Sequence, residues 1–236
     1  LHQPERVIIE YNGMWLVSNF EKMQLPTGWG VEQQITCVDG STFQMYMANM
    51  KSIFMDMIKN TDMVIFNRCK KEDPLPTYRR GIKVANQRAE VIFEDEEGEL
   101  GDIFQDEMPF DMNAPVIEIL PEDYGIWFVD AMDHPENYEG KTVKFKARVM
   151  KPRGMGSKFF VPGRTAMTCC ADDTTFLGYV CKSAYAPKLT PGEWVEVTAK
   201  VGIEKRNEYQ GEEGIVLAAE HVEQCDPLED EMVYFN

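Results

Sequence analysis

The sequence predicts an α/β fold in the first half of the chain and a small β-barrel in the second. Two patterns favour this division. Short apolar runs alternate with helical patterns up to Phe93, which is typical of parallel strands joined by helices. From Val143 onward, short strands follow one another with turns between them, as in a closed barrel of the OB-fold type. We therefore predict two domains, residues 1–120 and residues 121–236.

The first half contains four predicted strands, two of which end in residues suited to ligand binding. The first, residues 6–13, is an apolar run that ends in Glu10 and Gly13, and the second ends in Asp39. α/β proteins place their ligands at the carboxyl ends of parallel strands. Ser41 is expected to cap a helix whose Met-rich stripe indicates core packing. The remaining strands and the second helix are predicted at residues 63–66, 89–93 and 77–87.

An acidic segment separates the two halves. No Lys or Arg occurs between Arg88 and Lys141, although the chain carries a net charge of −16 that falls mainly in this interval. The rest of the chain is nearly neutral, which argues against a nucleic-acid surface because such a surface needs a basic stripe. We interpret the segment as a solvated connector, and the alternative is a patch that attracts a metal ion or a partner.

The second half begins with a predicted helix, Tyr124–Asp133, and continues with strands. Val143, Phe145, Ala147 and Val149 alternate with charged residues, the pattern of a half-buried antiparallel strand. Further strands are predicted at residues 159–161, 165–170, 176–181, 194–201 and 214–219.

The composition indicates a reduced, cytoplasmic protein that does not span a membrane. No apolar run approaches the ~20 residues of a transmembrane helix. Six cysteines stand at irregular spacings, which fits a reduced protein better than a disulfide framework.

Adjacent cysteines followed by carboxylates form the most unusual motif, Cys169-Cys170-Ala171-Asp172-Asp173. Thiolates beside a carboxylate can bind zinc or another transition metal, so Cys169, Cys170 and Asp172 are candidate ligands. The residues alone leave two alternatives open. The pair can be structural at a strand end, or it can act in thiol redox chemistry, although the two aspartates disfavour the low thiol pKa that this needs.

The second half resembles the carboxyl-terminal domain of the YcgQ-like family, whose members are usually encoded beside a predicted permease. The resemblance rests on Asn137–Lys141, on Arg164 with Met167-Thr168-Cys169-Cys170 and Asp172, and on Gly192–Val195. It implies a fold and a candidate site but no reaction.

The first half is similar to the later part of a CobW-like GTPase domain. Val7-Ile8-Ile9-Glu10-x-x-Gly13 is similar to that family's switch loop, and Asn67-Arg68-Cys69-Lys70 stands where its guanine-binding Asn-Lys-x-Asp motif belongs. The resemblance implies GTP as the ligand and a catalytic role for Glu10. The nucleotide-binding residues that it implies are Gly13, Asp39, Asn67, Arg68 and Cys69.

Two departures from that family bear on activity. The phosphate-binding G-x-x-x-x-G-K-[ST] loop does not occur in this sequence, and because the chain begins with Leu we expect that loop upstream. Lys70 replaces a carboxylate that would accept hydrogen bonds from guanine. We therefore expect this chain to bind GTP only weakly and not to hydrolyse it.

These observations predict a CobW-like GTP-binding protein that handles or delivers a metal ion, with the barrel binding the metal or a metalloprotein client. The alternative is a non-enzymatic interaction module that works with a membrane permease and has structural cysteines. No nucleic-acid partner is expected.

Overall fold

A computed structural model describes residues 4–101, 108–168 and 174–233. The chain divides into two compact units, residues 1–73 with 85–103 and residues 74–84 with 104–236. The helices are α1 (Val17–Glu21), α2 (Phe43–Ile58), α3 (Leu75–Ala85) and α4 (Tyr124–Asp133). The strands are β1 (Ile35–Asp39), β2 (Met63–Asn67), β3 (Glu90–Phe93), β4 (Ile117–Glu118), β5 (Thr142–Met150), β6 (Phe159–Met167), β7 (Thr174–Gly178), β8 (Val180–Lys182), β9 (Trp194–Lys205), β10 (Glu213–Gln224) and β11 (Met232–Val233).

The first unit is built on a three-stranded parallel sheet in the order β1-β2-β3. These strands lie where the apolar runs predict them, and the parallel arrangement is confirmed. Phe43 and Phe54 of α2 are buried, and the Phe43 ring meets the Phe66 ring of β2 edge to face at 4.9 Å between centroids. The prediction that Ser41 caps the helix is wrong. The cap is Asp39, whose carboxylate accepts from the backbone N–H of Ser41 at 3.1 Å, in the single helical turn that precedes α2.

The strand predicted at residues 6–13 does not form in the structure. The segment has no strand assignment, and Ile8 is 93% exposed. A strand needs a hydrogen-bonded neighbour for its N–H and C=O groups, and no described strand pairs with this segment. The apolar run carries no information about the partner that a strand requires.

The second unit is a closed barrel of five strands in the order β6-β8-β10-β9-β5, with the β5–β6 pairing closing it. All neighbours are antiparallel except β8 and β10, which are parallel. This mixed barrel fits the predicted OB-like fold. The alternation along β5 is confirmed, since Val143, Phe145, Ala147 and Val149 are all at most 2% exposed.

Helix α4 packs its aromatic residues into the barrel core, with the predicted bounds. Trp127 is 1% exposed, and its ring lies 4.8 Å from that of Phe145. The hydroxyl of Tyr124 donates to the carbonyl of Leu177 at 3.0 Å. Asp133 at the end of α4 pairs with Arg79 of α3 at 2.8 Å, which holds α3 in this unit. None of the helices in the described part of the chain is long and apolar enough to cross a membrane.

Candidate functional site

The carboxyl ends of β1 and β2 bring four predicted site residues to one edge of the first sheet. The two strands are parallel and in register, and Asp39 lies directly beside Asn67. Arg68 and Cys69 follow Asn67 at once. We call residues 39–41 and 67–69 the carboxyl edge. The chain continues past β3 along the same edge, because the N–H of Cys69 donates to the carbonyl of Glu94 at 2.9 Å.

The Asp39 carboxylate is held on both of its oxygens. Its Oδ1 accepts from the hydroxyl of Ser41 at 2.6 Å, and its Oδ2 accepts from the guanidinium of Arg68 at 2.6 Å. The Ser41 hydrogen bond, followed by that from Arg68, lowers the pKa of Asp39 below its usual value although burial opposes the shift. The edge therefore carries an ionised carboxylate paired with an exposed cation.

Asn67 and Arg68 each break a local rule. The Oδ1 of Asn67 is buried and has no hydrogen-bond donor among the described residues. Arg68 has a φ of 55°, in the left-handed region that side chains other than glycine seldom adopt. Buried acceptors without partners and strained backbone both concentrate at functional sites. An unpaired acceptor next to a residue with left-handed backbone is the strongest functional signal in this unit.

Cys69 is a packing residue of this edge. It is 4% exposed, and burial raises the pKa of its thiol to about 11, so the thiol is neutral at physiological pH. A Cβ added at Gly40 would lie 2.8 Å from the Cys69 sulfur and 3.0 Å from the carbonyl oxygen of Asn67. Glycine is therefore required for the turn after β1 to approach the end of β2.

Asp73 lies three residues after Lys70 and takes part in the turn that follows the edge. Its Oδ2 accepts from the backbone N–H of Lys70 at 2.7 Å, which closes the turn that follows the edge. Asp73 thus shapes the turn through the backbone of Lys70.

Glu10 and Gly13 do not join the carboxyl edge through any described contact. Glu10 is exposed, and within the described ranges it forms no hydrogen bond or ion pair. The carbonyl of Gly13 accepts from the hydroxyl of Tyr46 on α2 at 3.2 Å, which anchors the loop after residues 6–13. The catalytic role of Glu10 stays a prediction.

The candidate metal ligands Cys169, Cys170 and Asp172 lie outside the described residues. They belong to the connection between β6 and β7, whose flanking residues Met167 and Thr174 are paired. The described residues contain no cluster of three or more His, Cys, Asp or Glu suited to a metal ion. Cys181 lies in the barrel core, where burial raises the pKa of its thiol to about 12. This apolar site does not favour the thiolate that a metal needs.

Arg164 shows a role that the motif around it did not predict. It is 2% exposed and donates to the carbonyl of Pro121 and, at 3.0 Å each, to the carbonyls of Asp230 and Met232. Its guanidinium therefore ties the segment before α4 and the last strand to β6. Burial lowers its pKa, and the three carbonyls replace water at its terminal nitrogens, whereas its buried Nε has no partner among the described residues.

The fold is that of a protein with a small α/β unit and an OB-like barrel, and the sequence assigns its family. Residues 99–235 match the DUF1980 C-terminal domain. The match covers more than half of the chain, so the chain belongs to the DUF1980 family. No curated protein matches it.

Several solved structures are similar to parts of the chain at low identity. The mitochondrial single-stranded DNA binding protein Rim1 from S. cerevisiae is 10% identical over 36% of this chain and 95% of its own, with a TM-score of 0.22. Aspartyl tRNA synthetase from Entamoeba histolytica is 18% identical over 44% of this chain and 22% of its own, with a TM-score of 0.26. A putative aspartyl-tRNA synthetase from Leishmania major Friedlin is 17% identical over 46% of this chain and 20% of its own, with a TM-score of 0.25. Similarities of this size carry no conclusion about function.

Proposed function

We propose that this chain binds the base of GTP at the carboxyl edge of its first sheet and that its barrel handles a metal ion or a metalloprotein client. The observation that carries the first part is the buried Oδ1 of Asn67, which has no donor among the described residues. An unpaired buried acceptor is destabilising, so a ligand N–H that reaches the Oδ1 of Asn67 removes that cost. The CobW-like pattern assigns the same residue to the base.

The chemistry of the edge suits a purine. Asn67 offers an acceptor to a ring or exocyclic N–H, and the ion pair with Asp39 holds the guanidinium of Arg68 at the same edge. A guanidinium can stack on a flat ring. Lys70 supplies no acceptor for a second guanine N–H, so discrimination between guanine and adenine is expected to be small.

Equilibrium dialysis with labelled guanosine tests this proposal, because guanosine carries the base without phosphates. Millimolar binding is expected for the wild-type chain, and Asn67→Ala should weaken it about tenfold, the effect of one hydrogen bond to a buried group. Asn60→Ala is the matched control, because Asn60 is exposed and, among the described residues, its side chain bonds only to Glu21. Equal affinity of the wild type and Asn67→Ala would contradict the assignment.

GTP hydrolysis is not expected, because the sequence has no phosphate-binding loop. Phosphate release from GTP should stay at the background rate in the wild type and in Glu10→Ala. Release above background that Glu10→Ala abolishes would instead make Glu10 catalytic in this chain.

Metal handling is proposed from the donor set of Cys169, Cys170 and Asp172. Elemental analysis of the reduced protein is expected to give about one zinc or other transition-metal ion per chain. The double variant Cys169→Ser with Cys170→Ser should lose it, and Cys37→Ser, which alters an exposed thiol, should retain it. Metal retained in the double variant would place the site elsewhere, and metal absent from the wild type would leave the pair a structural role.

A second candidate, an interaction module for a permease or another protein, is favoured by exposed apolar side chains. Ile8 is 93% exposed, Met45 65%, Met23 62% and Trp15 60%. The double variant Ile8→Ser with Trp15→Ser should reduce binding of a hydrophobic dye while leaving guanosine binding intact. If guanosine does not bind and the dye signal falls, the interaction module is the better account.

A further inference from the structure

Two loops of the barrel line a shallow, open pocket of about 600 Å³. One loop, residues 151–158, joins β5 to β6, and the other, residues 206–212, joins β9 to β10. We call this the loop pocket. Its volume lies within the range of sites for small molecules, roughly 300–1,000 Å³.

The loop pocket is basic in a strongly acidic protein. Arg153, Lys205 and Arg206 line it together with one carboxylate, that of Glu208, whereas the whole chain carries a net charge of −16. Arg153 forms no ion pair with any residue that the structure describes. Lys205 lies 4.0 Å from Glu213, and its side chain is 72% exposed. Two of the three cations are therefore available to an anion.

Arg206 is held in place by its surroundings. Its Nε and one terminal nitrogen bind the two oxygens of Glu208 at 3.1 and 2.9 Å, and its guanidinium carbon lies 4.3 Å from the centre of the Phe159 ring. The side chain is only 16% exposed. Such an arginine loses little conformational entropy when it meets a ligand.

The loop that carries Arg206 is anchored to the barrel by the residue at its centre. The hydroxyl of Tyr209 accepts from the N–H of Val180 at 3.2 Å and donates to the carbonyl of Ile215. A Cβ added at Gly214 would meet the Tyr209 ring at 2.6 Å, so the ring lies against the backbone of β10. This side of the loop pocket is therefore preformed.

The opposite loop presents backbone donors. The N–H of Met155 donates to the carbonyl of Pro152, and Gly154 has a φ of 87°, which is the third position of a type II turn. The N–H groups of Arg153, Gly154 and Gly156 have no acceptor among the described residues. Successive free N–H groups in a turn favour anions.

We propose that the loop pocket binds a phosphorylated small molecule of about mononucleotide size, with its phosphate contacted by Arg153, Lys205 and the N–H groups of the β5–β6 loop. A guanidinium and free amides match the tetrahedral oxyanion of a phosphate. The net charge of −16 opposes a long polyanion, whereas a small phosphate needs only a local basic site. The proposal concerns the second unit and does not depend on base binding at the carboxyl edge.

The test is a titration of the full chain with ribose 5-phosphate at low ionic strength, followed by calorimetry and by amide chemical shifts. Ribose 5-phosphate is used because it has no base for the carboxyl edge to bind. The amides of Gly154 and Gly156 should shift. Arg153→Ala with Lys205→Ala should weaken binding by about tenfold or more, since two phosphate contacts are lost.

Lys182→Ala with Lys200→Ala is the matched control, because both lysines are exposed on barrel strands and their removal changes the net charge equally. This variant should bind as the wild type does. Equal losses in the two double variants, or shifts confined to other residues, would overturn the proposal. Single-stranded DNA that shifts the same amides at far lower concentration would also overturn it, in favour of a nucleic-acid site.

Discussion

The sheet of the first unit is open, whereas the barrel of the second unit is closed. Among the described strands, β1 has one neighbour, β2, but each of the five barrel strands has two. The consequence is visible in burial, since Ile35 of β1 is 48% exposed while Phe145 of β5 is 2% exposed. A closed sheet satisfies its backbone groups internally, and an open edge leaves them available to something else. We therefore expect the barrel to contribute most of the stability of the chain. The open sheet is expected to contain the polar groups that lack partners.

The largest expected effect comes from truncating the barrel core. Phe145→Ala should lower the free energy of unfolding of the barrel by about 3–5 kcal/mol, because it removes a ring packed against Trp127 and leaves a cavity. Ile35→Ala in the open strand should cost less than about 1 kcal/mol. Denaturant unfolding monitored by amide exchange in each unit measures both values. Equal costs would mean that the β1 edge is as well covered as the barrel.

This contrast also explains what the sequence could predict. The alternation along β5 sets its buried face locally, so the inward residues and the bounds of α4 follow from periodicity. A parallel strand needs neighbours that are distant in the chain, and the strand prediction for residues 6–13 is wrong because no described strand pairs with that run.

The candidate site is predictable in part. The register of β1 and β2 brings together Asp39 and Asn67, as the rule for parallel strand ends leads one to expect. The unpaired Oδ1 of Asn67 and the left-handed backbone of Arg68 depend on tertiary packing and have no signature in the sequence. The loop pocket was missed because its cations lie about 50 residues apart, Arg153 in the β5–β6 loop and Lys205 at the end of β9, and neither segment forms a motif.

The second-largest effect is expected at Arg164, which ties the last strand to the barrel. Arg164→Met should lower stability by about 1–3 kcal/mol, because it removes the donor of three part-buried hydrogen bonds to the carbonyls of Pro121, Asp230 and Met232. Amide exchange at Met232 and Val233 should rise first, since β11 loses its tie to β6. Arg148→Met removes a single bond from an exposed arginine to Gly192 and should change stability by less than about 1 kcal/mol. Unchanged exchange in β11 would show that its pairing alone is sufficient.

The buried thiol of Cys181 makes the stability of the barrel depend on pH. The pKa of Cys181 is raised to about 12 in the folded protein, against about 8.5 when unfolded, so the unfolded chain releases its proton first as the pH rises. The stabilisation is complete below the pKa of the unfolded chain. It is lost as the pH rises from the unfolded to the folded pKa, at up to about 1.4 kcal/mol per pH unit. In Cys181→Ala this part of the alkaline decline should disappear. In the native state at neutral pH, alkylation mapped by mass spectrometry should modify the exposed Cys37 and spare Cys181.

The smallest expected effect concerns the strained turn of the carboxyl edge. Arg68→Gly should stabilise the first unit by up to about 1 kcal/mol, because glycine adopts the φ of 55° without strain, and the exposed ion pair with Asp39 contributes little. Arg68→Ala keeps the Cβ and should show no such gain. Both variants should bind guanosine more weakly. A gain in stability without a loss of guanosine binding would show that the strained backbone of Arg68 is not needed for binding.

The most direct test of base binding is a guanosine titration followed by amide and side-chain amide shifts of the full chain. The account predicts that shifts cluster at residues 39–41 and 67–69, with the side-chain amide of Asn67 among the largest, and that the loop pocket is unaffected. Shifts confined to the barrel, or none at saturating guanosine, would contradict the assignment of the carboxyl edge as the base-binding site.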